Sequence, residues 1–181
     1  GRSVKAVFSG VANAVVTPEH LDAPLSYEGL ASVGSGMGAA GFIVYDDTTC
    51  MVDVAYHFSR FLSVESCGQC PPCKLGSSAI TEHLERIETG GGHLGEIHVV
   101  ADDIDAIVGW LDNVTDGNRC YLAVEEQIVI RSILQAFPAE FDEHIQSGAC
   151  PRRRKLPMPK LVDLAGGELA APVGAVRHRR R

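Results

Sequence analysis

Three cysteines separated by two residues each, Cys67, Cys70 and Cys73, form a C-x2-C-x2-C run, and a further cysteine, Cys120, follows well downstream. Iron–sulfur cubanes are held by four thiolates, and three of them commonly come from one tight loop with two-residue gaps. Such a loop can wrap one face of a cubane because each sulfur meets a different iron. Gly68 allows a sharp bend after the first ligand, while Pro71 and Pro72 stiffen the loop and remove two backbone donors. Lys74 is placed either to offset part of a cluster's negative charge or to stand as an ordinary solvated lysine. The chemistry this pattern offers is single-electron transfer through one [4Fe–4S] cluster.

Competing uses of the same thiols fit less well. A structural zinc site usually pairs two C-x2-C knuckles or adds histidines at set spacing; here there is one triple, and His83 and His93 stand at unremarkable positions. That reading would make the chain a zinc-stabilised interaction module. Disulfides need an oxidising compartment, for which nothing speaks, and a redox dithiol leaves the third cysteine unexplained. Cys50 and Cys150 read as small buried or helix-end residues. From spacing alone, either could compete with Cys120 as fourth ligand.

Other chemistry is weaker still. Gly36, Gly38 and Gly41 satisfy G-x-G-x-x-G, but a dinucleotide fingerprint needs a strand before it and a helix after it. Here a strand-like run follows, so a tight turn feeding Phe42 is expected. Asp46 and Asp47 are expected to end that strand and help cap the next helix. His57 reads as a partly exposed helix residue and Trp110 as core. No Ser–His–Asp or Cys–His grouping is supported.

The elements that must position the cysteines follow from periodicity. Val4 to Phe8 and Val11 to Val16 read as strands around a Ser9-Gly10 turn. Ser26 starts a short helical segment to Val33, and Phe42 to Tyr45 is again strand-like. After Thr48, with Thr48 or Thr49 as cap, the period becomes helical: Val54, Phe58, Phe61 and Leu62 mark a first helix. Ile80, Leu84 and Ile87 mark a second, closed by Gly90. Ile97, Val100, Ile104, Ile107, Val108 and Leu111 mark a third. Val124, Ile128, Leu134, Phe141 and Ile145 mark a fourth, stopped at Gly148.

The expected fold class is α+β: a small mixed unit over residues 1–46, then a four-helix bundle over 47–150, then an irregular basic tail over 151–181. Hydrophobic residues at 45% and charged residues at 22% suffice for a sizeable core. A net charge of −7 argues against nucleic acid as partner. The basic runs at Arg152 to Lys155 and Arg177 to Arg181 read as a solvated tail, with a docking arm for an acidic partner as the alternative. No run approaches a membrane span, and no signal peptide is visible, so a reducing cytoplasm is expected. The chain opens without methionine, inside a strand, as a piece of something longer would.

The stretch Glu65-Ser66-Cys67-Gly68-Gln69-Cys70-Pro71-Pro72-Cys73-Lys74-Leu75-Gly76 resembles the cluster loop of the NADH-binding flavoprotein subunit of respiratory complex I. The same loop occurs in its relatives in NAD-linked formate dehydrogenases and NAD-reducing hydrogenases. The resemblance runs upstream through Asp46-Asp47-Thr48-Thr49-Cys50-Met51-Val52-Asp53. Downstream it runs through Gly117-Asn118-Arg119-Cys120, Phe137-Pro138-Ala139-Glu140-Phe141 and Gly148-Ala149-Cys150. It implies a β-grasp (SLBB-like, ubiquitin-like) domain followed by a four-helix cluster domain, with Cys120 as fourth ligand beside Cys67, Cys70 and Cys73. The family loop usually continues Cys-Arg-Glu-Gly where this chain has Cys73-Lys74-Leu75-Gly76. Its fourth cysteine is usually followed by Ala-Leu-Gly, here Tyr121-Leu122-Ala123. Both departures leave the ligands intact and make a stand-alone or formate-dehydrogenase-like relative competitive with complex I itself.

The resemblance further implies FMN and NADH on a separate or upstream domain, which these residues do not match. It implies a thioredoxin-like 2Fe-2S subunit and other redox subunits as partners, and a place peripheral to the inner face of the membrane.

Overall fold

The computed structural model describes residues 1–90, 101–148 and 150–152, together with the backbone of 163–165 and 168–170. Strand β1 (Val4–Ser9) pairs antiparallel with β2 (Phe42–Asp46), with Ala6 opposite Tyr45 and Phe8 opposite Ile43. Alternation sends Ala6 and Phe8 into the core, as a half-buried strand requires. The register slips between Val4 and Ala6. Lys5 sits at this irregularity, and its ammonium donates to the Thr49 carbonyl at 2.6 Å.

The expected strand from Val11 to Val16 is reduced to one bridge between Val7 and Val16. Side chains serve the intervening residues instead of a ladder. Asn13 Nδ2 donates to the Ser9 carbonyl at 3.0 Å, and the Val15 amide donates to Ser132 Oγ at 3.1 Å. A 3-10 turn over Pro18–His20 and helix α1 (Tyr27–Ser32) lead to β2. Ser26 Oγ caps α1 by accepting from the Gly29 amide at 3.0 Å. The glycine segment is a turn, as expected. Gly38 has φ +52, and a Cβ at Gly36 would collide with Asn13 Oδ1. Strand β2 follows it directly, so no helix start is offered to a phosphate.

Helices α2 (Met51–Glu65) and α3 (Pro71–Thr89) form an antiparallel hairpin. Its seam is polar in places: Tyr56 Oη donates to Glu85 Oε1 at 3.4 Å, Ser59 and Thr81 hydroxyls lie 2.8 Å apart, and those of Ser63 and Ser78 3.1 Å apart. Gly90, at φ +66, ends α3 in the left-handed conformation that glycine tolerates best. Helix α4 (Ala101–Asn113) continues the pattern of the third expected helix, whose Ile97 and Val100 lie outside the described residues. Asp103 ties α4 to α3 through His83 Nδ1 at 2.6 Å and Arg86 Nη2 at 2.6 Å.

The fourth expected helix is two: α5 (Leu122–Ala136) and α6 (Pro138–Ser147). Pro138 has no N–H and clashes with a continuing helix, so it serves as the first residue of a new one. Gly148, at φ +68, stops α6 as expected. Trp110 is corrected from core to a 38% exposed residue. Ile107, Leu111 and Val114 form the buried stripe, and Trp110 stands on its flank. Phe61, 48% exposed, is a similar flank position on α2. In the tail expected to be irregular, β3 (Asp163–Ala165) and β4 (Glu168–Ala170) pair as a hairpin. The basic runs beyond Arg152 lie outside the described residues.

One continuous core joins the sheet to the helices: Ala6 and Phe8 lie in the same cluster as Phe58, Ile80, Leu84, Leu111 and Ile130. Among the described residues no helix is long and apolar enough to cross a membrane.

Candidate metal centre

The α2–α3 hairpin turns through a connector that carries two of the three closely spaced cysteines. Cys67 is exposed in this connector, and Gly68 bends it at φ +79. Cys70 is the half-buried N-cap of α3, Pro71 and Pro72 open the helix, and Cys73 is buried in its first turn. Proline at these positions loses no helical hydrogen bond, because the first amides of a helix have no partner within it. Ser66 Oγ lies 3.4 Å from Cys73 Sγ.

Lys74 is half-buried, and its ammonium is held by hydrogen bonds. Its ammonium donates to the carbonyls of Ser63 at 2.6 Å and Ser66 at 3.3 Å. A cation there satisfies open carbonyls at the C-terminus of α2 and favours the negative end of its dipole. The lysine therefore pins the start of the cysteine loop.

Cys120 is exposed in the connector between α4 and α5. Gly117 turns this connector at φ +61, and Asn118 Nδ2 donates to the Cys120 carbonyl at 3.0 Å. The connector leaves from Val114, which packs on Gly76, one turn past Cys73; a Cβ on Gly76 would lie 3.0 Å from Val114 Cγ2. It re-enters the core at Ala123, in the same buried cluster as Cys73. None of the four thiols is in a disulfide, and four thiolates are the donor set of a cubane.

Cys50 and Cys150 sit elsewhere. Cys50 is the N-cap of α2, so 15 residues of helix, about 22 Å, separate it from the start of the cysteine loop. Cys50, His144 and Cys150 instead bring Sγ, Nε2 and Sγ within 4.8 Å of one another. Burial pushes both thiols up from their ordinary pKa. Sequence reasoning missed this group. The available signal was that the two spare cysteines bracket the helical region and that His144 follows Glu140 by one turn of α6.

Glu140 was missed as well. Its carboxylate accepts from the Met51 amide at 2.9 Å, pairs with Lys5, and meets Arg152 Nη1 at 3.3 Å. It is thus the cap that α2 lacks locally. Thr48 and Thr49 do not cap α2; their hydroxyls donate to Asp46 Oδ1 at 2.6 Å and 3.3 Å. Asp46 ends β2 as expected and accepts from the Thr48 amide at 3.0 Å in the turn that follows, while Asp47 accepts from Ser3 Oγ, before β1, at 2.7 Å; the first amide of α2 is taken by Glu140 instead. The hydrogen bond from Thr48 and the Arg2 guanidinium hold the Asp46 carboxyl well below the usual range. His57 is partly exposed, as expected, with Nε2 3.2 Å from Asp53 Oδ1.

A third missed group is Glu126 on α5, fully buried, whose carboxyl pKa burial pushes up to about 8. Ser59 Oγ donates to its Oε1 at 2.6 Å, and among the described residues no hydrogen-bond partner faces Oε2. Its signal was a charged residue on the apolar stripe shared by Ala123, Val129, Ile130 and Ile133.

The helical hairpin carries cysteines at its turn and a neighbouring connector carries another, the donor type that an iron–sulfur cluster takes. The sequence profile described as NADH-ubiquinone oxidoreductase-F iron-sulfur binding region matches residues 53–144, and the chain belongs to this family, whose cluster is 4Fe–4S. Cys67, Cys70, Cys73 and Cys120 all fall inside the match, whereas Cys50 and Cys150 fall outside it.

An NADH-quinone oxidoreductase subunit of Rhizobium meliloti (strain 1021) is 37% identical over 152 residues, covering 83% of this chain and 34% of the relative. NADP-reducing hydrogenase subunit HndC of Solidesulfovibrio fructosivorans is 33% identical over 152 residues, 83% of this chain and 30% of the relative. The chain therefore spans about a third of the length of these relatives. The crystal structure of NAD+-reducing [NiFe]-hydrogenase in the H2-reduced state shares the fold, with a TM-score of 0.63 and 23% identity over 83% of this chain and 24% of that one.

Proposed function

We propose that this chain holds one [4Fe–4S] cluster on Cys67, Cys70, Cys73 and Cys120 and relays single electrons through it. The electrons would pass between a flavin reduced by NADH and further redox centres, as the C-terminal part of an NADH dehydrogenase flavoprotein subunit. In this reading FMN and NADH bind an upstream or separate domain, and the partners are that domain, a thioredoxin-like 2Fe-2S subunit and other redox subunits. The whole assembly is cytoplasmic and peripheral to the inner face of the membrane. Residues 1–46 are a β-grasp unit, residues 47–150 a four-helix cluster domain with α5 and α6 as the halves of its fourth helix, and 151–181 a basic tail.

The observation that carries the reading is the α2–α3 turn. It holds Cys67, Cys70 and Cys73 on a Gly- and Pro-shaped bend pinned by Lys74, while Val114 seats the Cys120 connector one turn along α3. When bound, the cluster supplies the one-electron chemistry. The chain's own residues fix its position, and burial and hydrogen bonding around the sulfurs tune its potential. Similarity to an NADP-reducing hydrogenase subunit favours a second context, the corresponding subunit of an NAD-dependent hydrogenase or formate dehydrogenase, with the same relay.

Anaerobic purification tests the reading. About four irons and matching sulfide per chain are expected, with a visible band that dithionite bleaches. Cys67→Ser and Cys120→Ser should each lose most of that iron. Zinc on these four cysteines, or iron retained in both variants, would overturn it. An in-frame flavin-binding domain upstream of Gly1 in the coding sequence is the matching genetic expectation.

A further inference from the structure

We propose that Glu126 is the proton partner of the cluster, taking up one proton through a switchable line of hydroxyls when an electron enters. This rests on the four-cysteine cluster proposed above. Glu126 lies on α5, which starts two residues past Cys120, and its side chain is fully buried. Three short contacts run from its Oε1 across α2 and α3. Ser59 Oγ lies at 2.6 Å, Thr81 Oγ1 2.8 Å beyond it, and the Ser77 carbonyl 2.7 Å beyond that. Ser77 is buried one turn past Cys73 on α3.

Counting hydrogens shows what the line can do. Three contacts need three hydrogens; the carbonyl supplies none and the two hydroxyls supply one each. The third must come from Glu126. With the carboxyl protonated, Glu126 donates to Ser59, Ser59 to Thr81, and Thr81 to the carbonyl, so every contact is filled. With the carboxyl ionised, Ser59 turns to donate to Oε1, and one contact downstream is left without a hydrogen. Oε2 has no hydrogen-bond partner among the described residues, which costs a carboxylate more than an acid. The geometry therefore favours the neutral form, and burial pushes the carboxyl up to about 8. Thr81 is half-buried, so the line opens toward solvent at its far end.

Ionisable groups on the helices packed against α5 are engaged away from this carboxyl. Arg60 of α2 and Glu85 of α3 meet at Tyr56 Oη, Asp103 of α4 meets Arg86, and Asp112 meets Arg131. Glu140 and His144 of α6 face the start of α2. The charge that changes with electron transfer is the cluster's. Thr81 stands eight residues, about 12 Å, along α3 from Cys73. Across about 12 Å at an effective dielectric of about 20, one added electron strengthens proton binding about tenfold. The electron comes from the reduced flavin, and a proton given up by solvent forms the Glu126 O–H bond.

Below about pH 8 Glu126 is neutral in both redox states, and the cluster potential does not depend on pH. Between about pH 8 and about pH 9 reduction brings the proton with it, so the potential falls as pH rises. Above that window the carboxyl is ionised in both states and the potential is level again. Anaerobic potentiometry of the iron-loaded chain across this range should give that step. Glu126→Gln, which keeps the neutral shape, should match the parent below the window and show no step. Ser59→Ala removes the one donor to the ionised form and should move the step to higher pH. Reduced-minus-oxidised infrared spectra within the window should gain a protonated-carboxyl C=O band that Glu126→Gln lacks. The parent's own step and band decide the matter even where a variant fails to fold. A level parent potential, a step that persists in Glu126→Gln, a step unmoved in Ser59→Ala, or no carboxyl band would each overturn the inference and leave the cluster reading standing. A chain that holds no iron would overturn both.

Discussion

A carboxyl group as enclosed as Glu126 gives up its hydration on folding and keeps its proton to compensate. The donor it has, Ser59 Oγ at 2.6 Å, favours the ionised form but does not outweigh burial, and the pKa rises to about 8 from an ordinary 4.5. Between those values the unfolded chain is ionised at this position while the folded chain holds a proton. Stability therefore falls as pH rises through this window and levels off above about pH 8. Glu126→Gln keeps the shape of the protonated group and has no such slope. The variant should match the parent near about pH 4.5 and exceed it by a few kcal/mol, on the order of the linkage energy, near about pH 8. Melting temperatures of both proteins across that range provide the measurement. A difference that stays constant with pH would show that Glu126 does not carry the proton.

At the scale of elements, α3 and the residue that follows α4 pack closely beside the cysteine loop. A methyl group added at Gly76 would meet Val114 Cγ2 at 3.0 Å and Cβ at 3.2 Å. Val114 is fully buried, so it has little room to give way. Gly76→Ala should cost about 1–3 kcal/mol by overpacking, offset in part by the better helix propensity of alanine. Because Val114 begins the connector to Cys120, the variant should also lose iron faster under a chelator. Val114→Ala removes Cγ2, and the double variant should recover part of both losses; an additive double variant would mean that the two residues do not press on each other.

The helices themselves were legible, since Val54, Phe58 and Leu62, then Ile80, Leu84 and Ile87, repeat at helical spacing and are buried. The flank of a stripe was not. Trp110 and Phe61 satisfy the period within one position, and only the direction of the neighbouring helix decides that they face outward. The break at Pro138 was legible in principle, because a proline cannot continue α5, but the apolar pattern runs across it unbroken. The Cys50–His144–Cys150 group was not legible from spacing, because packing of α6 against the start of α2 creates it. The capping of α2 by Glu140 arises from the same contact.

Across the whole molecule, the sheet and the helices are bound by shared side chains rather than by the chain alone. Phe8 on β1 meets Phe58 on α2 edge to face at 5.0 Å between ring centres, and Tyr45 on β2 at 6.0 Å. Lys5 on β1 pairs with Glu140 on α6, and Val15 donates to Ser132 on α5 at 3.1 Å. A boundary near residue 46 is natural in the sequence, where strand period gives way to helical period, yet the apolar core crosses it without interruption. Cooperative unfolding follows from that continuity, because exposing Phe8 also exposes Phe58 on the helix that leads to Cys67. Phe8→Ala leaves a cavity costing about 3–5 kcal/mol, a fall of roughly 10 °C in Tm for a chain of this size. If the core is one unit, far-UV helix signal and the visible absorption of the cluster should both be lost at the lowered temperature. Two separable units would instead leave helix signal and cluster at the parent's temperature while the sheet alone melted. Parallel recording of both signals during one anaerobic melt decides between them, and a split transition would confine the effect of Phe8 to the sheet.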